Sequence, residues 1–118
     1  MSRYWLRAAV VAAIVGVHAI AAEYHVAPTG SDSNPGTASL PYLTVKKAAG
    51  VAVAGDTVWV HGGFYANQPK ATCAKVGTQA APIRIWAVPG ESMPVLDFTG
   101  ETSSGFAVTG SWYHIKGL

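Results

Sequence analysis

From Glu23 onward the apolar positions come in short runs with a period of two, broken every few residues by glycine, proline, asparagine or serine. Tyr24 and Val26 flank His25, which predicts a first strand over Glu23–Ala27. Pro28 to Thr37 is dense in turn residues and reads as a loop held by side-chain to backbone hydrogen bonds. Its oxygen-bearing side chains are also of the kind that surround a hard cation. One stretch changes to a helical period. Val45, Ala48, Ala49 and Ala52 form an apolar stripe behind a capping Thr44, so a helix is expected over Thr44–Ala54, stopped by Gly55. Asp56 is expected to bond turn amides.

After that helix the chain reads as strands. Thr57–Val60 is β-branched and aromatic, and Phe64–Tyr65 follows the Gly62-Gly63 pair. Ile83–Ala87 alternates cleanly, and Pro94–Phe98, Phe106–Val108 and Tyr113–Leu118 are further short strands, the last with a phase break at Gly117. A hairpin-based sandwich and a parallel coil share such punctuation. The helix, and the lack of any closing element, favour the coil. Leu118 lies inside an apparent strand, so the natural chain is expected to continue.

The N-terminal stretch belongs to a different class. Arg3 and Arg7 precede an apolar run from Ala8 to Val17, and small residues follow as far as Ala22. This is the layout of a secretory signal peptide over residues 1–22, cut after Ala21 or Ala22. A membrane span needs ~20 apolar residues, and here His18 and Glu23 interrupt the run. The expected location is therefore secreted or periplasmic, with no stable membrane span after cleavage. The leader also changes the charge picture. The chain holds 8 Lys and Arg against 6 Asp and Glu, and without Arg3 and Arg7 the two signs balance. No basic footprint for nucleic acid is left. Cys73 is the single cysteine, expected to be a buried or half-buried thiol that forms no intrachain disulfide.

Several segments carry a further pattern, in order. They are Tyr24 to Thr37, Pro41-Tyr42-Leu43-Thr44-Val45 with Ala48, and Gly55-Asp56-Thr57-Val58-Trp59-Val60-His61-Gly62-Gly63-Phe64-Tyr65. Ala81-Pro82-Ile83, Pro89-Gly90-Glu91, Val95-Leu96-Asp97-Phe98-Thr99-Gly100 and Tyr113-His114-Ile115-Lys116-Gly117-Leu118 complete the set. Together they resemble the opening of secreted, pectate-lyase-like β-helix proteins, particularly polysaccharide lyase family 9. His61 and Phe64 depart from it, standing where arginine and threonine are common. The resemblance implies an all-β fold, a right-handed parallel β-helix with a short N-terminal capping helix. Residues 23–118 would be the cap and first rungs, truncated at the C-terminus. Val58, Val60, Ile83 and Ile85 would face inward, and Trp59 and Trp86 outward or under a loop.

The resemblance implies calcium-assisted β-elimination on a pectate-like acidic glycan by a monomeric enzyme. Aspartates would hold the calcium, and a lysine would be the general base. The motifs that carry those groups do not occur here, so no catalytic, cofactor-binding or metal residue is assigned to this chain. Asp97 and Lys116 each stand alone, and His25, His61 and His114 lack metal-motif spacing. Trp59, Tyr65, Trp86, Trp112 and Tyr113 are candidates for stacking on sugars, although most aromatics in a small β-rich domain pack inside. Two alternatives stand beside the lyase: a non-catalytic β-helix that binds glycan or a surface, and a hydrolase with paired carboxylates.

Residues 23–118 expressed alone are expected to aggregate or unfold readily, because the last strand has no cover. A monomeric state with one cooperative unfolding transition would overturn this.

Overall fold

The computed structural model describes residues 20–118, and the expected leader falls almost wholly on residues 1–19, outside them. The order is β1 (Glu23–Val26), α1 (Val45–Val51), β2 (Thr57–Val60), β3 (Gly63–Tyr65), β4 (Ala71–Cys73), β5 (Ile83–Ala87), β6 (Pro94–Leu96), β7 (Phe106–Val108) and β8 (Tyr113–Lys116). Every pairing is parallel, in three sheets: β1-β2-β5-β8, β3-β6 and β4-β7. Consecutive strands β2, β3 and β4 lie in three different sheets, and β5, β6 and β7 repeat the circuit one level on. That is a parallel coil, the reading favoured over a hairpin-based sandwich.

The register explains why so short a chain has a core. Tyr24 stacks on Val58, Val58 on Ile85 and Ile85 on Ile115, while Val26 stacks on Val60 and Val60 on Ala87. Val26, Val58, Val60, Ile83 and Ile85 are fully buried, the last four as the resemblance implies. Each such aliphatic side chain contributes about 1.5–3 kcal/mol of burial. On the far side of the coil Ala71 and Cys73 of β4 point inward, with Thr72 outward. This strand is absent from the sequence reading, because three residues carry too little alternation to register. Burial raises the Cys73 thiol pKa and keeps it a packed, unreactive group.

The helix is shorter than expected. Its start is as read, with the Thr44 hydroxyl accepting from the Lys47 amide at 3.1 Å. It ends at Val51, and Ala52 is already extended. Asp56 accounts for the early exit, since its Oδ2 accepts the Val53 amide at 2.9 Å and its Oδ1 accepts the Ala22 amide at 2.8 Å. The turn role expected of Asp56 is therefore the observed one. The buried stripe is Val45, Ala48 and Ala49, and the helix packs on β4 and against β1 and β2.

The loop after β1 is held by its own side chains. Asp32 accepts from the amides of Leu43 and Thr44 at 3.0 and 2.9 Å and from the Thr44 hydroxyl at 2.7 Å. Asn34 donates to the Pro41 carbonyl. A second clamp comes from the next coil. Buried Gln68 accepts the Val45 amide at 3.2 Å and donates to the Leu43 carbonyl at 3.3 Å. The Gly62-Gly63 pair makes the corner between sheets, where a Cβ on Gly62 would run into the backbone oxygen of Ser92 and Gly63 has φ +129. At the other end of the coil, Leu96, Phe98, Phe106, Ile115 and Leu118 line an apolar hollow of about 390 Å³.

Asp32→Ala removes three bonds to one carboxylate, and such charge-assisted bonds are worth ~1.5–3 kcal/mol. Amide exchange over α1 and β1 should then quicken by at least about tenfold in the protein expressed from its whole gene. Unchanged protection would mean that Asp32 does not fasten the helix.

Candidate functional site

The outer face of the four-stranded sheet brings together aromatic, basic and histidine side chains. Because β1, β2, β5 and β8 pair in register, their outward residues fall into two columns. One runs Glu23, Thr57, Arg84, His114, and the other runs His25, Trp59, Trp86, Lys116. Trp59 and Trp86 stand edge to face at 5.9 Å, and His114 meets Trp86 edge-on at 5.3 Å. The Arg84 guanidinium lies 5.5 Å, and the Lys116 ammonium 5.3 Å, from the centre of a Trp86 ring. These are cation–π distances. Trp59 donates its Nε1–H to Glu23 at 2.9 Å. The Nε1 of Trp86 is buried with no partner.

A second cluster adjoins the columns at the turn after β2. His25 Nδ1 is 2.8 Å from His61 Nε2, and His61 Nδ1 is 3.0 Å from Glu91 Oε2. The Gly62 amide also donates to Glu91, at 2.9 Å. With the carboxylate ionised, His61 donates through Nδ1 and its Nε2 lone pair accepts from His25 Nδ1–H. The result is a chain of polarised bonds from Glu91 to the first strand. Burial, then the neighbouring His61, lowers the His25 pKa against a smaller opposite pull from Glu23 and Glu91. The Gly62 amide, then the His61 side chain, lowers the Glu91 pKa. Sequence spacing hid this pairing, since the partners lie on successive coils. The only signal was the coil period itself, which places His61 just beyond Val60, the register partner of Val26.

The other candidates separate clearly. Tyr65 is a core residue, with its hydroxyl donating to the carbonyls of Val26 and His61 at 3.0 and 2.6 Å, so it is unavailable to a sugar. Tyr113 packs against the core and accepts the Lys75 amide at 2.9 Å. Trp112 is exposed at φ 60, an uncommon backbone for a bulky residue. Asp97 touches no cation. It accepts from the Thr99 side chain and amide, and these bonds lower its pKa.

Calcium needs several oxygen ligands converging on one point. Each of the chain's six carboxylates is instead engaged separately: Glu23 with Trp59, Asp32 with Thr44, Asp56 with Val53, Glu91 with His61, Asp97 with Thr99, and Glu101 with the Lys70 amide. Among the described residues no three acids, histidines or cysteines group as a metal site. These residues do not fit a calcium ion, and no step is assigned to one here. No helix among them is long and apolar enough to cross a membrane.

Comparison with known proteins agrees with this architecture. Residues 24–118 match the family described as Pel9A-like, right handed beta helix region. Pectate lyase PEL9 of Emericella nidulans is 35% identical over 89 residues, which cover 75% of this chain and 20% of that protein. The chain thus spans about a fifth of the length of the curated relative it matches. The structure of a rhamnogalacturonan lyase superposes with a TM-score of 0.70 at 33% identity, covering 81% of this chain and 27% of that one. The crystal structure of pectate lyase Pel9A gives 0.68 at 28% identity, covering 87% and 28%.

The histidine clasp makes stability depend on pH with a definite sign. His25 is held neutral in the fold, so the unfolded chain takes up more protons below pH 6.5. Glu91 is held ionised, so its contribution is present above pH 4.5 and lost below it. Both lower stability on acidification. The thermal midpoint should fall between pH 7 and 4, with His25→Gln flattening the upper part of that window and Glu91→Gln the lower. A midpoint that rises as pH falls, or variants that follow the parent curve, would disprove the coupling.

Proposed function

Because the chain belongs to the Pel9A-like right-handed β-helix family, we propose that it is part of an exported polysaccharide lyase. Its substrate on this reading is a pectate-like uronan, cleaved by calcium-assisted β-elimination. The reacting groups and the calcium-holding acids belong to coils other than those described. The protein is secreted or periplasmic and monomeric, and residues 1–22 are its leader. Helix α1 closes the first coil, its Val45, Ala48 and Ala49 covering the apolar interior. The observation that carries the reading is the 35% identity to a pectate lyase over 75% of the chain.

The chemistry needs no protein nucleophile. A base takes the proton α to the uronate carboxylate, and the glycosidic oxygen departs from the β carbon with the bonding pair and takes up a proton as a hydroxyl, leaving a C=C bond conjugated with the carboxylate. A second reading is favoured by one observation, the engagement of all six carboxylates in local hydrogen bonds. On that reading the coil binds glycan and performs no chemistry.

The protein from its whole gene should release unsaturated uronides from polygalacturonate, followed by the ultraviolet absorbance of the new double bond, and EDTA should abolish the release. Chain cleavage without that absorbance would indicate a hydrolase. Binding without cleavage would favour the second reading.

A further inference from the structure

From the outer columns of the four-stranded sheet, we infer a carbohydrate subsite around Trp86 that takes the carboxylate-bearing sugars of an anionic glycan. Arg84 and Lys116 provide its cations, and Trp59 and Trp86 its apolar surface. The inference rests on the uronan reading above and deepens it, since it concerns a surface that performs no chemistry.

Three observations carry it. The first is charge without a partner. Among the described residues the one ion pair joins His61 to Glu91, and neither Arg84 nor Lys116 has a carboxylate within reach. Both are held instead over the Trp86 rings, at 5.5 and 5.3 Å. Lys116 also borders a hollow of about 440 Å³ whose rim includes Glu91, but that carboxylate is turned to His61 and the Gly62 amide. A guanidinium and an ammonium displayed on one aromatic platform, with no internal anion, complement an external carboxylate.

The second is periodicity. Arg84 lies on β5 and Lys116 on β8, the next level of the same sheet, and levels are spaced ~4.8 Å apart. A polymer running along the coil axis would meet a cation at each of these two levels, as a uronan presents a carboxylate on each sugar. Trp59 extends the strip to β2, with its ring 5.9 Å from that of Trp86. Aromatic faces meet the C–H surfaces of sugar rings, while the cations take the charge.

The third is the buried Nε1–H of Trp86, which has no acceptor. A buried donor left unmet is costly, so a ligand acceptor there would be favoured. A donor left unmet beside two displayed cations is a place where a ligand oxygen would be accepted. A solvated structural face would leave no such donor and would pair its cations with acids of its own sheet.

The test uses oligogalacturonate as probe, with a neutral xylo-oligosaccharide as control, both titrated into the whole protein in EDTA at low salt and followed by tryptophan fluorescence. Wild type should bind the uronate probe and not the neutral one, with weaker binding at high salt. Arg84→Gln and Lys116→Gln should each weaken uronate binding by about tenfold, and Arg84→Lys should restore part of the loss. Thermal midpoints within a degree or two of wild type would show that the variants remain folded; if Arg84→Gln unfolds, Lys116→Gln, on an exposed side chain, carries the test. Equal binding by the variants, or equal binding of the neutral sugar, overturns the subsite. If the protein still cleaves polygalacturonate in that case, the lyase reading survives. If uronan is neither bound nor cleaved, both fail.

Discussion

Parallel stacking in register is the constraint on which the rest of this molecule depends. Each coil must place an apolar residue above an apolar residue, as Tyr24, Val58, Ile85 and Ile115 do along one inner column. A slip of one residue would turn the whole inward set to solvent. The loops between strands absorb every difference in length, and their side chains serve to hold that register. Asp32 and Gln68 bond backbone amides at the start of helix α1, and Asp56 does so where the chain rejoins a sheet.

The same constraint decides what the outside can do. A parallel coil makes neighbours of residues on successive levels, so the outer face is composed one residue at a time from distant parts of the chain. Trp59 and Trp86 meet because their strands pair, as do Arg84 and His114. The Glu91–His61–His25 chain spans from the turn after β5 back to β1 and ties successive levels together by polar bonds. Along the inner columns of the sheet the stacked contacts are apolar. Outside, each contact is specific, and a single substitution changes one step of a ladder without disturbing the core.

What could be read from the sequence follows from this division. The period of two in Thr57–Val60 and Ile83–Ala87 marks the strands, and Val58, Val60, Ile83 and Ile85 lie inside as the resemblance implies. Asp56 and the Thr44 cap are legible because their partners are a few residues away. Contacts between coils are not, since loops of unequal length blur the period that would align them. That is why His25 and His61 read as unrelated, and why Gln68 passed unnoticed although it clamps the start of the helix. Strand β4 was missed for a different reason: Ala71-Thr72-Cys73 is buried by its place in the coil, with little propensity of its own. Tyr65 shows the limit for aromatics, where composition offers a sugar platform and the hydroxyl's two carbonyl partners fix a core residue.

The distribution of charge separates the structural work of these coils from their surface chemistry. Every carboxylate has a donor close at hand, and most of those donors are backbone amides at turns. An acid so engaged spends its oxygens on donors of its own chain, which leaves it poorly placed to ligate a cation. Arg84 and Lys116 show the opposite arrangement, with charge displayed on an aromatic face and no acid to neutralise it. Coils that keep their anions for the backbone and present their cations outward favour polyanions as ligands. On the reading proposed above, that asymmetry would let these coils hold an acidic polymer without themselves supplying the groups that break it.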